Sequence, residues 1–159
     1  MAAADQRHHQ AEGEVVAIET GLRTLLLAQS SITTLAPAQT VGGLSIDAVF
    51  LDHPVEGVKA PYVLITLTSH DPYRRFDGTG GTLRRSDVDI DCYASNRPAA
   101  IALATAVEVF LRDYVGAAGA SDTINAVLWE NARDDVVYLG DGRDARHYVR
   151  SLSFIIQHT

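Results

Sequence analysis

The chain has 159 residues, one domain's worth, and a chain of that length buries roughly 68–70% of its unfolded surface without needing disulfide or metal staples. Apolar residues make up 47% and charged residues 21%, an ordinary globular balance that argues against wholesale disorder. The 13 Lys and Arg against 20 Asp and Glu leave a net charge of -7, which argues against a sequence-independent nucleic-acid binder and against an anionic membrane as the main partner. Lys59 is the one lysine; all other basic residues are arginines, the side chain suited to bidentate pairing with carboxylates.

The first residues, MAAADQRHHQ, are polar and carry no apolar run of signal-peptide type, so 1–11 reads as a flexible tail and 12–159 as a single domain. Residues 12–30 read as a helix with Val15, Ile18, Leu22, Leu25 and Leu26 on one stripe, followed by a short helical turn before Pro37. Residues 38–45, with Gly42 and Gly43, read as loop, residues 46–51 as a short strand, and 55–60 as a connector. Residues 62–69 form a strand, with Val63, Ile65 and Leu67 on one side. Pro72, Gly78, Gly80 and Gly81 make 70–83 a long loop, either disordered or ordered by a partner. A second strand covers 84–94, with Val88, Ile90 and Cys92 on one face and Asp87, Asp89, Asp91 and Tyr93 on the other.

Ser95-Asn96-Arg97-Pro98 is a helix start, and the helix is expected to run to about Tyr114. Leu103, Val107, Phe110, Leu111 and Tyr114 line one side, and Ala100, Ala102, Ala104 and Ala106 the opposite one. Residues 123–131 and 135–139 read as two strands or one bent strand, Gly140-Asp141-Gly142 as a turn, and 146–157 as the last strand, with Tyr148, Leu152, Phe154 and Ile156 on one face. The expected fold is α+β: a mainly antiparallel sheet with two helices packed on one face and a long protruding β-hairpin.

The sharpest polar feature is Asp87-x-Asp89-x-Asp91, three carboxylates on one strand face, about 6.7 Å between successive ones. It reads as a charged face toward solvent or a neighbouring subunit, as carboxylates paired within the chain, or as a hard-cation site. An EF-hand is excluded, because its required Gly and Glu are replaced by Cys92 and Pro98. The segment 76–81 lacks the Lys-Ser/Thr of a phosphate loop. Tyr73, Arg74, Arg75 and Phe76, with Arg84 and Arg85, have the composition of a protein-interface anchor. Cys92 alternates with apolar residues and reads as core; Trp129 reads as core or interface. No arrangement of nucleophile, base and oxyanion donors is visible, so no catalysis and no cofactor are expected.

Taken together, EVVAIETGLRTLLLAQSSITTLAP, FLDHP, APYVLITLTS, LRRSDVDIDCYASNRPAAIALATAVEVFLRD and RHYVRSLSFIIQ resemble the tail-completion or tail-terminator family of long-tailed bacteriophages and gene transfer agents over residues 14–157. The resemblance implies a non-enzymatic virion protein at the head–tail junction, synthesised in the host cytoplasm. Its subunits would form a ring, usually a hexamer, that caps the tail tube and joins the head connector. It implies self-association, contact with the tail tube protein and the connector or stopper protein, and DNA passing through the lumen without specific binding. It also gives the 70–85 hairpin a role in contacts between protomers. Tyr73, Arg74, Arg75, Phe76, Arg84, Arg85, Asp87, Asp89 and Asp91 are then the expected interface residues, with the arginines and aspartates as two halves of one joint. Two other readings stand beside this one: another neck or tail-tube subunit, and a metal-dependent hydrolase built on the three aspartates.

Overall fold

The strict alternation of 84–94 is the pattern of a strand buried on one face only, and in the structure it becomes a central strand. A computed structural model describes residues 18–74, 80–120, 122–138 and 146–159. Its elements are α1 (18–27), α2 (Ser30–Leu35), β1 (Gln39–Val41), β2 (Leu44–Ile46), β3 (Val49–Leu51), β4 (Tyr62–Arg74), β5 (Gly80–Ala94), α3 (Arg97–Leu111), β6 (Gly116–Ala118), β7 (Asp122–Tyr138) and β8 (Arg146–His158). The main sheet has the order β3-β4-β5-β8-β7-β6, and β1-β2 form a separate hairpin. Every pairing in the main sheet is antiparallel except β3 with β4. The fold is α+β, as expected.

β5 lies between β4 and β8 and sets the two faces. Ser86, Val88, Ile90, Cys92 and Ala94 are buried, whereas Arg85, Asp87, Asp89, Asp91 and Tyr93 between them are half-exposed. On β8 the register places Leu152 beside Ile90 and Phe154 beside Val88, and both are fully buried. The helices supply the opposing layer: Ile18, Leu22 and Leu26 of α1, Ile32 of α2, and Leu103, Val107 and Leu111 of α3 join the same apolar cluster. Three described helices, not two, thus cover one face of the sheet. Arg23 ties α1 to the sheet, its Nε donating to the Val49 carbonyl at 2.8 Å and its guanidinium pairing with Asp47 at 3.2 Å.

Several boundaries differ from those expected. The 70–83 segment is not a long loop. β4 runs on to Arg74 and β5 starts at Gly80, so the loop shrinks to 75–79, which lies outside the described residues. Pro72 is tolerated because β3 reaches only residues 63–65, leaving β4 an edge strand there, the place where a missing amide costs least. Residues 38–45 are not loop but the β1–β2 hairpin; Gly42 and Gly43, at φ 59° and 83°, supply the left-handed conformations of a two-residue turn. The expected 46–51 strand is split at Asp47-Ala48, and its second half pairs parallel.

α3 starts as expected, with the Asn96 side chain accepting the Ala99 amide at 2.9 Å. It stops at Leu111, short of Tyr114, because Asp113 adopts φ 64° and turns the chain into β6. Its alanines do not form an opposite face: Ala100 and Ala104 are buried beside Leu103 and Val107, where their small size lets the helix lie close to the sheet. β7 is one continuous strand through 132–134, where the two expected segments would have met, and its register shifts at Ile124/Ala126 and Trp129/Asn131 lie earlier, within 123–131. The 140–142 turn and the 1–11 tail fall outside the described residues.

Gly21 marks the closest approach of α1 to the β6–β7 turn. A Cβ there would lie 2.7 Å from the Ala118 carbonyl oxygen, and a Cβ on Gly119 would in turn lie 3.3 Å from the Gly21 Cα. Backbone cannot yield as a flexible side chain would. Gly21→Ala is therefore expected to destabilise the fold by about 1–3 kcal/mol despite its better helix propensity. Urea denaturation checks this; an unchanged or raised midpoint contradicts the packing.

Candidate functional site

The helix-free face of the sheet collects the polar side chains of β5, β8 and β7 in register. Asp89 pairs with Ser153 and Ser153 with Asn131; one step along, Asp91 pairs with Ser151 and Ser151 with Arg133. These six and Ala132 line an open depression of about 410 Å³. Ser153 Oγ donates to Asp89 at 2.7 Å. Burial pushes the Asp91 carboxyl above its usual range, reinforced by Asp89 and opposed by the Ser151 hydrogen bond and by Arg133. Nearer β3 the same face turns apolar. Tyr62 stacks on Tyr93 with centroids 4.6 Å apart, and Phe50 meets Tyr62 edge-on at 5.9 Å. Burial, with Tyr93 and Asp91, pushes the Tyr62 phenol up to about 12.

The three aspartates share this face but do not act alike. Asp87 is held below the usual carboxylate range, first by Arg85, whose Nε donates at 2.8 Å, and also by Ser69, whose hydroxyl donates at 2.8 Å. Arg85 and Asp87 are thus partners on one strand, so at this point the two expected halves of a joint meet within one chain. Arg84 lies where its charge bears on the buried His158. Tyr73 and Arg74 end β4, and Arg75 and Phe76 lie outside the described residues. Among the described residues, no three His, Cys, Asp or Glu side chains converge as a metal ligand set. Cys92 is fully buried, and burial pushes its thiol far above the usual range, consistent with core packing.

The structure also assembles a polar chain that the sequence reading did not foresee. At the base of the β4–β5 hairpin, on the core side, His70 Nδ1 meets Ser86 Oγ at 2.9 Å and Ser86 Oγ meets His158 Nε2 at 2.9 Å. His158 Nδ1 lies 3.5 Å from Asp122 Oδ1, a charge contact too long for a strong hydrogen bond, and Nδ1 has no hydrogen-bond partner. The chain crosses four adjacent strands, β4, β5, β8 and β7. Ser86, His158 and Asp122 resemble the nucleophile, base and acid of a hydrolase. Yet Ser86 and His158 are both 0% exposed, so no substrate reaches the hydroxyl and the arrangement is structural. The signal was present in the alternation: Ser86 shares parity with Val88 and Ile90, and His158 with Phe154 and Ile156.

Burial lowers the His158 pKa below 6.5, with His70 and Arg84 acting in the same direction and Asp122 opposing. A histidine kept neutral in the fold contributes stability above its unfolded pKa and loses it as pH falls through the lower, folded one. The urea midpoint is therefore expected to fall on acidification below pH 6.5. His158→Gln should flatten that dependence. An equally steep decline in the variant would assign the effect to other groups.

No described helix is long and apolar enough to cross a membrane. Trp129 is 40% exposed, with the Arg112 guanidinium 5.4 Å above its ring. No family model matches the chain, and no curated protein matches it. Among solved structures it is similar to a chain of the "Virion of native gene transfer agent (GTA) particle", with a TM-score of 0.60 and 19% identity over 91% of this chain and 97% of that one. At that identity the likeness establishes a shared fold, and it runs over nearly the whole of both chains.

Proposed function

We propose that the chain is a structural subunit of a phage-like virion, and within that class a tail terminator: a ring, usually of six copies, that caps the tail tube and joins it to the head connector. The observation that carries the reading is the fold shared end to end with a chain of a gene transfer agent virion. A tail tube protein and a connector or stopper protein are its partners. DNA passes through its bore ungripped, and a net charge of -7 suits a passage that repels phosphate. The helix-free face, with Asp89 and Asp91 in an open depression, is the surface turned to a neighbour or to the lumen. The one described Ser-His-Asp arrangement is sealed in the core, which suits a structural protein better than a hydrolase.

Deleting the chain from a producing cell tests the reading directly. Heads and tails should accumulate unjoined, with tubes of uncontrolled length, and supplying the chain in trans should restore joined particles. Joined particles of normal tail length without it would overturn the proposal. Reversing the charge at the hairpin base with Arg84→Glu and Arg85→Glu should weaken self-assembly while the chain stays folded by circular dichroism. Unchanged assembly by light scattering would remove these two arginines from the joint.

A further inference from the structure

The main sheet ends in two edges, and the described residues cover neither completely. On one side β6 pairs only with residues 122–124 of β7. The rest of β7, residues 125–138, has a neighbour on its β8 side and none on the other among the described residues. That edge spans about 45 Å. On the other side β3 pairs only with residues 63–65 of β4. The Glu19 carboxylate takes the Leu67 amide, and residues 68–74 then continue with β5 as their only described strand neighbour.

Among the described residues no strand covers the β7 edge beyond residue 124. The edge carries Leu128 at 50%, Trp129 at 40%, Val136 at 37% and Tyr138 at 70% exposure. The stretch 125–138 holds no proline and no lysine, and its pairing with β8 is interrupted by register shifts at Ile124/Ala126 and Trp129/Asn131. A long edge with large exposed apolar side chains is a template for another strand, and charges and register shifts such as these blunt it only in part.

The hairpin has the complementary need. β8 pairs with β5 as far as Arg84, so residues 80–83 of β5 pair with β4 alone and the hairpin end is two-stranded. A two-stranded ribbon is marginal in water unless a third strand or another layer supports it. Charge matches as well. With Asp134 paired to Arg97 and Arg150, and Arg85 paired to Asp87, the β7 stretch further carries Glu130 and Asp135 against Arg133, whereas residues 70–84 carry Arg74, Arg75 and Arg84 against Asp71 and Asp77. Among the described residues, an acidic edge without a strand neighbour and a basic ribbon without a third strand lie on opposite edges of one sheet.

We propose that the free edge of β7, residues 125–138, is a strand-addition site for the β4–β5 hairpin of a second copy of this chain, entered through residues 68–74 of its β4. The contact is head-to-tail, because each copy offers β7 to one neighbour and its hairpin to the other. It thereby names the joint of the ring reading, on which it rests only for the expectation that copies associate. Backbone hydrogen bonds supply the strand addition except at Pro72, which has no amide to donate, and the exposed β7 side chains and opposite charges fix which edge is chosen.

Hydrogen exchange of the full chain, followed by mass spectrometry across a dilution series, tests the joint without any tail component. As the measured mass rises, amides in 125–138 and in 68–74 should slow together, by roughly tenfold or more. A chain that stays monomeric up to about 1 mM, where even contacts of only ~4 kcal/mol associate, overturns the proposal. So does an oligomer in which 125–138 exchanges as fast as in the monomer. Protection of 125–138 with no change in 68–74 also overturns it, in favour of a two-fold β7–β7 contact or another partner segment. Leu128→Lys with Val136→Lys places edge lysines on two exposed positions and should abolish the joint with little change in melting temperature. A double variant that assembles like the parent chain overturns the proposal even if exchange slows. Normal tail capping with no slowing at either segment would leave the ring reading intact and remove this joint.

Discussion

Along β5 from Ser86 and along β8 from Leu152, every second side chain enters a sealed core and the one between is partly open to solvent, and this two-faced register is the constraint on which the other features depend. Phe154, Leu152, Ile90 and Ile156 are fully buried, each stabilising the fold by about 1.5–3 kcal/mol relative to exposure. A one-residue slip would exchange Val88, Ile90, Leu152 and Phe154 for Asp87, Asp89, Ser151 and Ser153, which makes the register close to obligatory. Once it is set, all helical apolar surface must go to one side. The polar groups of three strands are then gathered on the other, where the Asp89–Ser153 and Asp91–Ser151 rows come into line.

The buried polar chain sits where the register meets its limit. At Ser86 the apolar series of β5 ends, and beyond it the hairpin leaves the shelter of β8. His70, Ser86, His158 and Asp122 link four strands at that line, replacing apolar packing with contacts that hold only if the partners stay in place. The C-terminal end is pinned beside it, since Thr159 and Thr123 exchange backbone hydrogen bonds at 2.9 and 3.0 Å. The hairpin is therefore anchored at its base and supported only by itself toward its end. Anchored base, thinly supported end and open β7 edge are what a head-to-tail assembly of identical sheets requires.

Much of this was legible in the chain itself. The clean alternation of 84–94, the cap at Asn96 and the apolar face of β8 led directly to the correct central elements, because each depends on local periodicity. What periodicity does not carry is pairing. The parallel partner of β4, the short β6 and the continuation of β4 through Pro72 depend on which strands meet, and Pro72 is acceptable only because β3 is short. The role of the aspartates was legible only in part. Their shared face followed from spacing two, which also brings Arg85 to Asp87, but the Ser69 and Ser153 hydrogen bonds and the burial that raises Asp91 follow from neighbours on other strands. The Ser86–His158 contact joins residues 72 apart, with nothing local to announce it.

An acidic balance that at first only excluded partners now has a location: part of it lines a helix-free face beside an open strand edge. The central claim is that copies of this chain join sheet edge to sheet edge, leaving the helical layer out of the joints. An electron cryomicroscopy map of the self-assembled protein, at a resolution that separates strands, tests it most directly. The account predicts closed rings in which strands run continuously across each joint and the Asp89–Asp91 face looks into the bore or onto a neighbour. Rings joined through α1, α2 or α3, with β7 bare to solvent, would contradict it.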